Sequence, residues 1–189
     1  MVKKNSCVFI SGNGTNLRAL LNFSRNYNFP IKINLIISSK SNAIGLIYAK
    51  KNSIPFKIIN SKDRLSEVKM LKIIKEKKIE LICLAGYMKI LSKNFIRRYN
   101  GKIINIHPSL LPKFKGLNTF EKVLNTKEKR TGCTVHFVSE KLDSGKIISK
   151  KFFDIVKSDN VKTLKFKTQK LEYKAFSQAI IKIYQQAIF

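Results

Sequence analysis

Cys7-Val8-Phe9-Ile10-Ser11-Gly12-Asn13-Gly14-Thr15-Asn16-Leu17 runs from a short apolar stretch through a glycine turn into a helix start. The first four residues read as a buried strand, and Asn16 to Tyr27 reads as a helix with Leu17, Leu20 and Leu21 on one face. The same alternation continues. Strands are expected at Ile31 to Ile37, Phe56 to Ile59 and Leu81 to Ala85, with helices at Ile44 to Lys51 and Leu65 to Lys77. In the last helix Val68, Leu71 and Ile74 recur at three-residue steps. Leu81 to Ala85 is apolar throughout, as a central strand covered on both faces must be. Strand–helix–strand units of this kind imply right-handed crossovers and a parallel sheet.

Beyond residue 100 the pattern changes. Ile103 to Ile106 is another strand, and Thr134 to Val138 and Ile147 to Phe153 flank a turn at Asp143-Ser144-Gly145. These two read as an antiparallel pair added to the sheet. A terminal helix is expected over about Val161 to Ala187, with Leu164, Leu171, Ala175 and Ala179 in a sector of roughly 80° and Glu172 inside it. The fold class is α/β: a mostly parallel central sheet with an antiparallel extension and helices on both faces. Its 189 residues suit a single domain, 1–189, with halves dividing near residue 100.

Composition narrows the function classes. The chain is 44% hydrophobic and 26% charged, in the range of globular proteins. No apolar run approaches bilayer length, and the apolar stretch after the basic amino terminus is too short for a signal peptide, so a cytoplasmic protein is expected. Cys7, Cys83 and Cys133 each fall in an expected strand, are odd in number and share no metal-ligand spacing, so they read as buried reduced thiols. With two histidines, a zinc site is not expected. The net charge of +27 has two readings. One is a nucleic-acid surface. The other, favoured here, is compositional drift, since all but six of the 38 basic residues are lysine and they are dispersed rather than gathered around aromatics.

Two segments carry candidate chemistry. In Ser11 to Leu17 the glycines let backbone approach a phosphate, and the helix start favours an anion; Thr15 and Asn16 can cap that helix. A phosphate site and a plain capped turn fit the loop equally, and neither the dinucleotide nor the P-loop spacing is met. The second segment is Asn105-Ile106-His107-Pro108-Ser109-Leu110-Leu111-Pro112. Asn105 and His107, two apart where strand meets loop, point to one face and can act as a donor pair for an oxyanion. Asp143, about 36 residues later, would favour an imidazolium if it reached His107. The plainer readings are a structural histidine and a turn acid that satisfies backbone N–H groups. His136 reads as a strand residue with a structural hydrogen bond.

Taken together, these motifs resemble those of the phosphoribosylglycinamide formyltransferases, over Val8 to about Ile180. The resemblance rests on Ile10 to Leu17, Leu84-Ala85-Gly86-Tyr87-Met88-Lys89-Ile90-Leu91, Asn105 to Pro112, Lys115-Gly116-Leu117, Gly132 to Val138 and Leu142-Asp143-Ser144-Gly145. It implies a Rossmann-like formyltransferase fold. It also implies transfer of a formyl group from 10-formyltetrahydrofolate, as co-substrate, to the amine of phosphoribosylglycinamide in purine synthesis. On that resemblance Gly14, Thr15 and Asn16 hold the ribose phosphate, and Glu172 lies near the glycinamide. Arg64, Met88, Lys89, Ile90, Leu91 and Asn105 contact the folate, and Ser139, Glu140, Lys141 and Leu142 close over its pterin. Asn105, His107 and Asp143 match the catalytic set, with Asp143 raising the histidine's pKa; no metal is implied. Lys89, Lys146 and Tyr173 depart from the usual arginine, proline and histidine.

The partners expected are small molecules, with no membrane, no specific nucleic acid, and a monomer or weak homodimer. Formyltetrahydrofolate deformylase and methionyl-tRNA formyltransferase are the enzymatic rivals. The first is expected to need an amino-terminal regulatory domain and the second a carboxyl-terminal RNA-binding domain. A nucleic-acid-binding module on a degenerate scaffold is the rival from another class; it predicts clustered lysines and a damaged site.

Overall fold

The computed structural model describes residues 2–60 and 64–185. It forms two compact units, Met1–Ile104 and Asn105–Phe189. The first unit carries β1 (Lys4–Ile10), α1 (Thr15–Ser24), β2 (Ile31–Ser38), α2 (Leu46–Lys51), β3 (Phe56–Ile58), α3 (Arg64–Glu76), β4 (Leu81–Leu84) and α4 (Lys93–Arg98). Strand β5 (Lys102–His107) begins in the first unit and ends in the second. The second unit continues with α5 (Thr119–Leu124), β6 (Arg130–Phe137), β7 (Ile147–Asp154) and α6 (Val161–Gln185).

The strand order in the first unit is β3-β2-β1-β4-β5, and in the second β5-β6-β7. β1 is parallel to both β2 and β4, and β2 to β3, whereas β6 and β7 are antiparallel. The mixed, mostly parallel sheet expected from the alternation is therefore present. β4 is buried at every position, consistent with its unbroken apolar run.

Local chemistry explains several boundaries. Helix α1 ends at Ser24, three residues short of the expected Tyr27. Lys3 Nζ donates to the carbonyls of Ser24 and Asn26 at 2.6 Å each, placing a cation where the helix dipole favours one. In α3 the buried stripe is Ser66, Met70 and Ile74, at four-residue steps. The expected Val68–Leu71–Ile74 face is thus rotated: Val68 is 46% exposed. A real helix advances 3.6 residues per turn, so both three- and four-residue steps fit its period, and Met70 reaches the core better than Val68. The short helices α4 and α5, six residues each, stand outside the expected alternation. α4 is fixed by its cap, Ser92 Oγ accepting from Phe95 N–H at 3.0 Å, and by Phe95, fully buried edge-to-face against Phe9.

All three cysteines are buried and free, as expected. Burial raises each thiol's pKa, that of Cys133 to about 12, with the nearby Glu172 carboxylate adding to the rise. Among the described residues no helix is long and apolar enough to cross a membrane.

Candidate active site

In the first unit the loop after β1 is built from backbone. Gly14, at φ +69°, is the N-cap of α1 and makes no side-chain capping bond. The expectation that Thr15 and Asn16 cap the helix is corrected accordingly: both lie inside its first turn. Glycine is required at position 14 for a second reason. A Cβ there would stand 2.5 Å from Gly45 Cα, so the loop packs directly on the backbone before α2. Gly45 N–H also donates to Gly12 O at 3.0 Å. The result is a rigid, narrow turn with Gly12 and Asn13 exposed.

Ser11 ties this turn to the segment after β4. Its hydroxyl accepts from Met88 N–H at 2.8 Å and lies 2.6 Å from Ser39 Oγ. Met88 and Ile90 then stand 69% and 77% exposed, while Leu91 is buried and Lys89 half-buried. Two large apolar side chains in water on one short segment form a surface suited to a flat apolar ligand. The side chain of Arg64 lies outside the described residues.

The second unit gathers four polar side chains. Asn105 and His107 share one face of β5, and His136 comes from β6. Asp143 comes from the β6–β7 turn, in a left-handed conformation at φ +47°. His107 Nδ1 lies 3.3 Å from Asp143 Oδ2, with both side chains only 6% exposed. On its other edge His107 Nε2 donates to the Phe114 carbonyl at 2.8 Å. Both ring nitrogens thus face oxygen acceptors. Asp143 Oδ2 also accepts from Gly116 N–H at 2.9 Å.

The turn that bears Asp143 is held closely. Phe137 N–H donates to Lys146 O at 2.9 Å, and a Cβ on Gly145 would fall 1.7 Å from Phe137 O. Only glycine lets the turn fold this tightly against β6. The proline-rich turn after β5 is anchored too. Thr134 Oγ1 donates to Ser109 O at 2.7 Å and accepts from Leu111 N–H at 3.1 Å.

His136 makes the structural hydrogen bond expected of it and also joins the cluster. Its Nδ1 lies 2.8 Å from Phe137 O, its Nε2 3.3 Å from Asn105 Nδ2 and 3.6 Å from Asp143 Oδ1. Burial lowers its pKa, against the opposing pull of the Phe137 carbonyl and of Asp143. The strand register explains the aim. Pairing with β7 shifts between Val135, opposite Ser149, and His136, opposite Ile147. Such irregularities re-aim a side chain. Glu172 is half-buried on α6, close enough for its charge to act on the Cys133 thiol of β6. Half-buried Ser139 and exposed Glu140, Lys141 and Leu142 form an edge beside the Asp143 turn, with Ser139 Oγ donating to Lys141 O at 3.0 Å and Leu142 50% exposed.

Among the described residues no three metal-ligating side chains gather to hold an ion. The cluster contains a carboxylate, an amide and two imidazoles, and no serine or cysteine nucleophile stands among them.

The chain is similar to known proteins along nearly its whole length. A trifunctional purine biosynthetic protein adenosine-3 from Homo sapiens is 41% identical over 182 residues, which are 94% of this chain and 18% of that protein. The chain thus spans under a fifth of that relative's length. A phosphoribosylglycinamide formyltransferase from Haemophilus influenzae is 38% identical over 94% of this chain and 85% of its own length. The crystal structure of phosphoribosylglycinamide formyltransferase from Brucella melitensis superposes with a TM-score of 0.90 at 36% identity, covering 97% of this chain and 96% of that one. Residues 4–180, nearly everything that the two units contain, match the formyl transferase family, and the chain belongs to it.

Proposed function

We propose that this chain transfers the formyl group of 10-formyltetrahydrofolate to the glycinamide amine of 5'-phosphoribosylglycinamide, a step of purine synthesis. The observation that carries the reading is the buried contact of His107 with Asp143, beside the Asn105 amide. The folate supplies an activated formyl carbon; this chain's residues bind, orient and manage charge and protons. The amine resembles a chain amino group, so at neutral pH about a tenth or more is already unprotonated and needs no strong base. Its nitrogen bonds to the formyl carbon, the bond from that carbon to the folate nitrogen breaks, and one proton passes from the amine to the departing nitrogen.

The harder task is the negative charge that grows on the formyl oxygen. The Asn105 amide and a His107 imidazolium are donors for it, each such donor being worth on the order of 3 kcal/mol. Asp143 stabilises positive charge on His107 and orients a water for the proton's passage. Gly14, Thr15 and Asn16 hold the ribose phosphate at the start of α1, where backbone N–H groups and the helix dipole favour an anion. Glu172 faces the glycinamide amine. Met88, Ile90 and Leu142 supply apolar contact to the pterin, with Lys89, Leu91, Arg64 and Ser139 to Lys141 completing the folate contacts. The protein works in the cytoplasm on small molecules, as a monomer or weak homodimer, and needs no metal.

The test offers three acceptors together: phosphoribosylglycinamide, water and initiator tRNA. The expected result is formylation of the glycinamide amine at a rate at least a hundredfold above the other two. Formate as the main product would assign a deformylase, and formylated tRNA a tRNA enzyme; either result overturns the reading.

A further inference from the structure

We propose that His136 is a positioning residue of this site: its ring accepts a hydrogen bond from Asn105 and so presents the amide's second N–H, rather than its carbonyl, to the reacting formyl oxygen. The inference rests on the formyl-transfer reading above and adds a role to a residue outside the Asn105, His107 and Asp143 set.

Each ring nitrogen of His136 has its own partner. Nδ1 sits 2.8 Å from the Phe137 carbonyl, which can only accept, so Nδ1 carries the proton. The ring is 2% exposed, and burial disfavours its charged form. A neutral ring with a proton on Nδ1 has a lone pair on Nε2. That lone pair meets Asn105 Nδ2 at 3.3 Å. The other charged or titratable groups acting on the ring are Asp143 from the turn, His107 from β5 and Lys115 from the loop after β5. Asp143 Oδ1, at 3.6 Å, lies beyond hydrogen-bond reach of Nε2.

The consequence falls on Asn105. Its amide has two faces of opposite character, a carbonyl and an NH2 group, and flipping exchanges them. With His136 as an acceptor, the flipped amide would set its carbonyl against a lone pair. The unflipped amide spends one N–H on His136 and keeps the second as a donor. A carbonyl pointed at a developing oxyanion would oppose the reaction, so the ring decides whether Asn105 helps or hinders. The shifted register between β6 and β7 at Val135 and His136 aims the ring for this contact.

The experiment combines kinetics with a readout that does not depend on turnover. His136→Leu removes the acceptor and should lower kcat about tenfold to a hundredfold, less than the full loss of an oxyanion donor, with the KM for phosphoribosylglycinamide moving under threefold. His136→Gln, which places an amide oxygen near the former Nε2, should restore most of that loss. In an Asn105→Ala background, His136→Leu should cost less than a further twofold, because the residue acts through Asn105. Nitrogen-15 NMR of the wild type, simplified by there being two histidines, should show His136 neutral with its proton on Nδ1. Additive losses in the double variant, or a proton on Nε2, would overturn the proposal. A wild type that formylates water or tRNA instead would remove the substrate reading alone, and the NMR result would still decide the state of the ring.

Discussion

Substituting Asp143→Asn separates charge from shape at this site. Asp143 Oδ2 takes the Gly116 N–H at 2.9 Å and faces His107 Nδ1 at 3.3 Å, while Oδ1 faces His136 Nε2 at 3.6 Å. An asparagine fits the same space with its oxygen toward Gly116 and His107 and its NH2 on the His136 side, beyond hydrogen-bond reach of a ring nitrogen that Asn105 already occupies. The fold should therefore survive it, at a cost of about 1–3 kcal/mol for the lost charge of a buried pair. The charge is what goes. At 3.3 Å and an effective dielectric of about 20, the gross attraction between carboxylate and imidazolium is roughly 5 kcal/mol. Desolvation of two buried groups offsets part of this. If about half survives as stabilisation of the transition state, the rate falls by about a hundredfold, since each 1.4 kcal/mol is a factor of ten. The assay is initial-rate formyl transfer at neutral pH and saturating phosphoribosylglycinamide, beside a thermal melt. A kcat within threefold of wild type, in a variant that melts cooperatively, would refute the charge argument.

The Asp143 turn should depend on its glycine. Gly145→Ala forces a Cβ to within 1.7 Å of Phe137 O, so the turn must shift; a loss of about 2–4 kcal/mol in urea denaturation is expected, with kcat lowered as well. A variant as stable and active as wild type would contradict the packing described. The thiols give an alkaline signature. Burial lifts all three above their ordinary pKa, that of Cys133 to about 12, so the folded state holds protons that the unfolded state releases near pH 9. Stability carried by the neutral thiols is thus complete below pH 9 and lost as pH rises toward 12. Melting temperatures measured from pH 8 to 11 should fall, and an alkylating reagent at pH 8 should label the thiols only as the protein unfolds; ready labelling of the native protein would contradict their burial.

The alternation of strand and helix was legible because it is written in long periodic segments. β4 and α1 each have one dominant pattern, unbroken apolarity in the first and Leu17, Leu20 and Leu21 at helical spacing in the second. The helices α4 and α5 were not legible, because six residues make under two turns and each mixes its few apolar residues with polar ones; α2, equally short, was legible through the apolar run from Ile44 to Ala49. What fixes α4 is a cap and one buried phenylalanine, both local and both easily mistaken for loop chemistry. The face of α3 was misplaced because Val68, Leu71 and Ile74 fit the helical period as well as Ser66, Met70 and Ile74, and a buried serine carries no hydropathic signal.

The site divides along the same line. Asn105 and His107 are two residues apart on one strand, so their shared face follows from the pleat, and the Asp143 turn announces itself through glycine and serine. Gly45 could not be found from the sequence, since its role as the floor beneath Gly14 is a contact between distant backbones. His136 was visible as a residue but not as a member of the cluster. Its aim depends on the register shift between β6 and β7, and registers are set by pairing in space rather than by any motif.

His107 acts in a transfer whose acceptor is an amine under the function proposed above. The most direct measurement follows radiolabelled formyl from 10-formyltetrahydrofolate in a single turnover, with phosphoribosylglycinamide present, for wild type and His107→Ala. Wild type should place the label on the glycinamide nitrogen, and His107→Ala, with native circular dichroism, should do so at least a hundredfold more slowly. Label recovered as free formate from wild type, or equal rates for the two proteins, would contradict it.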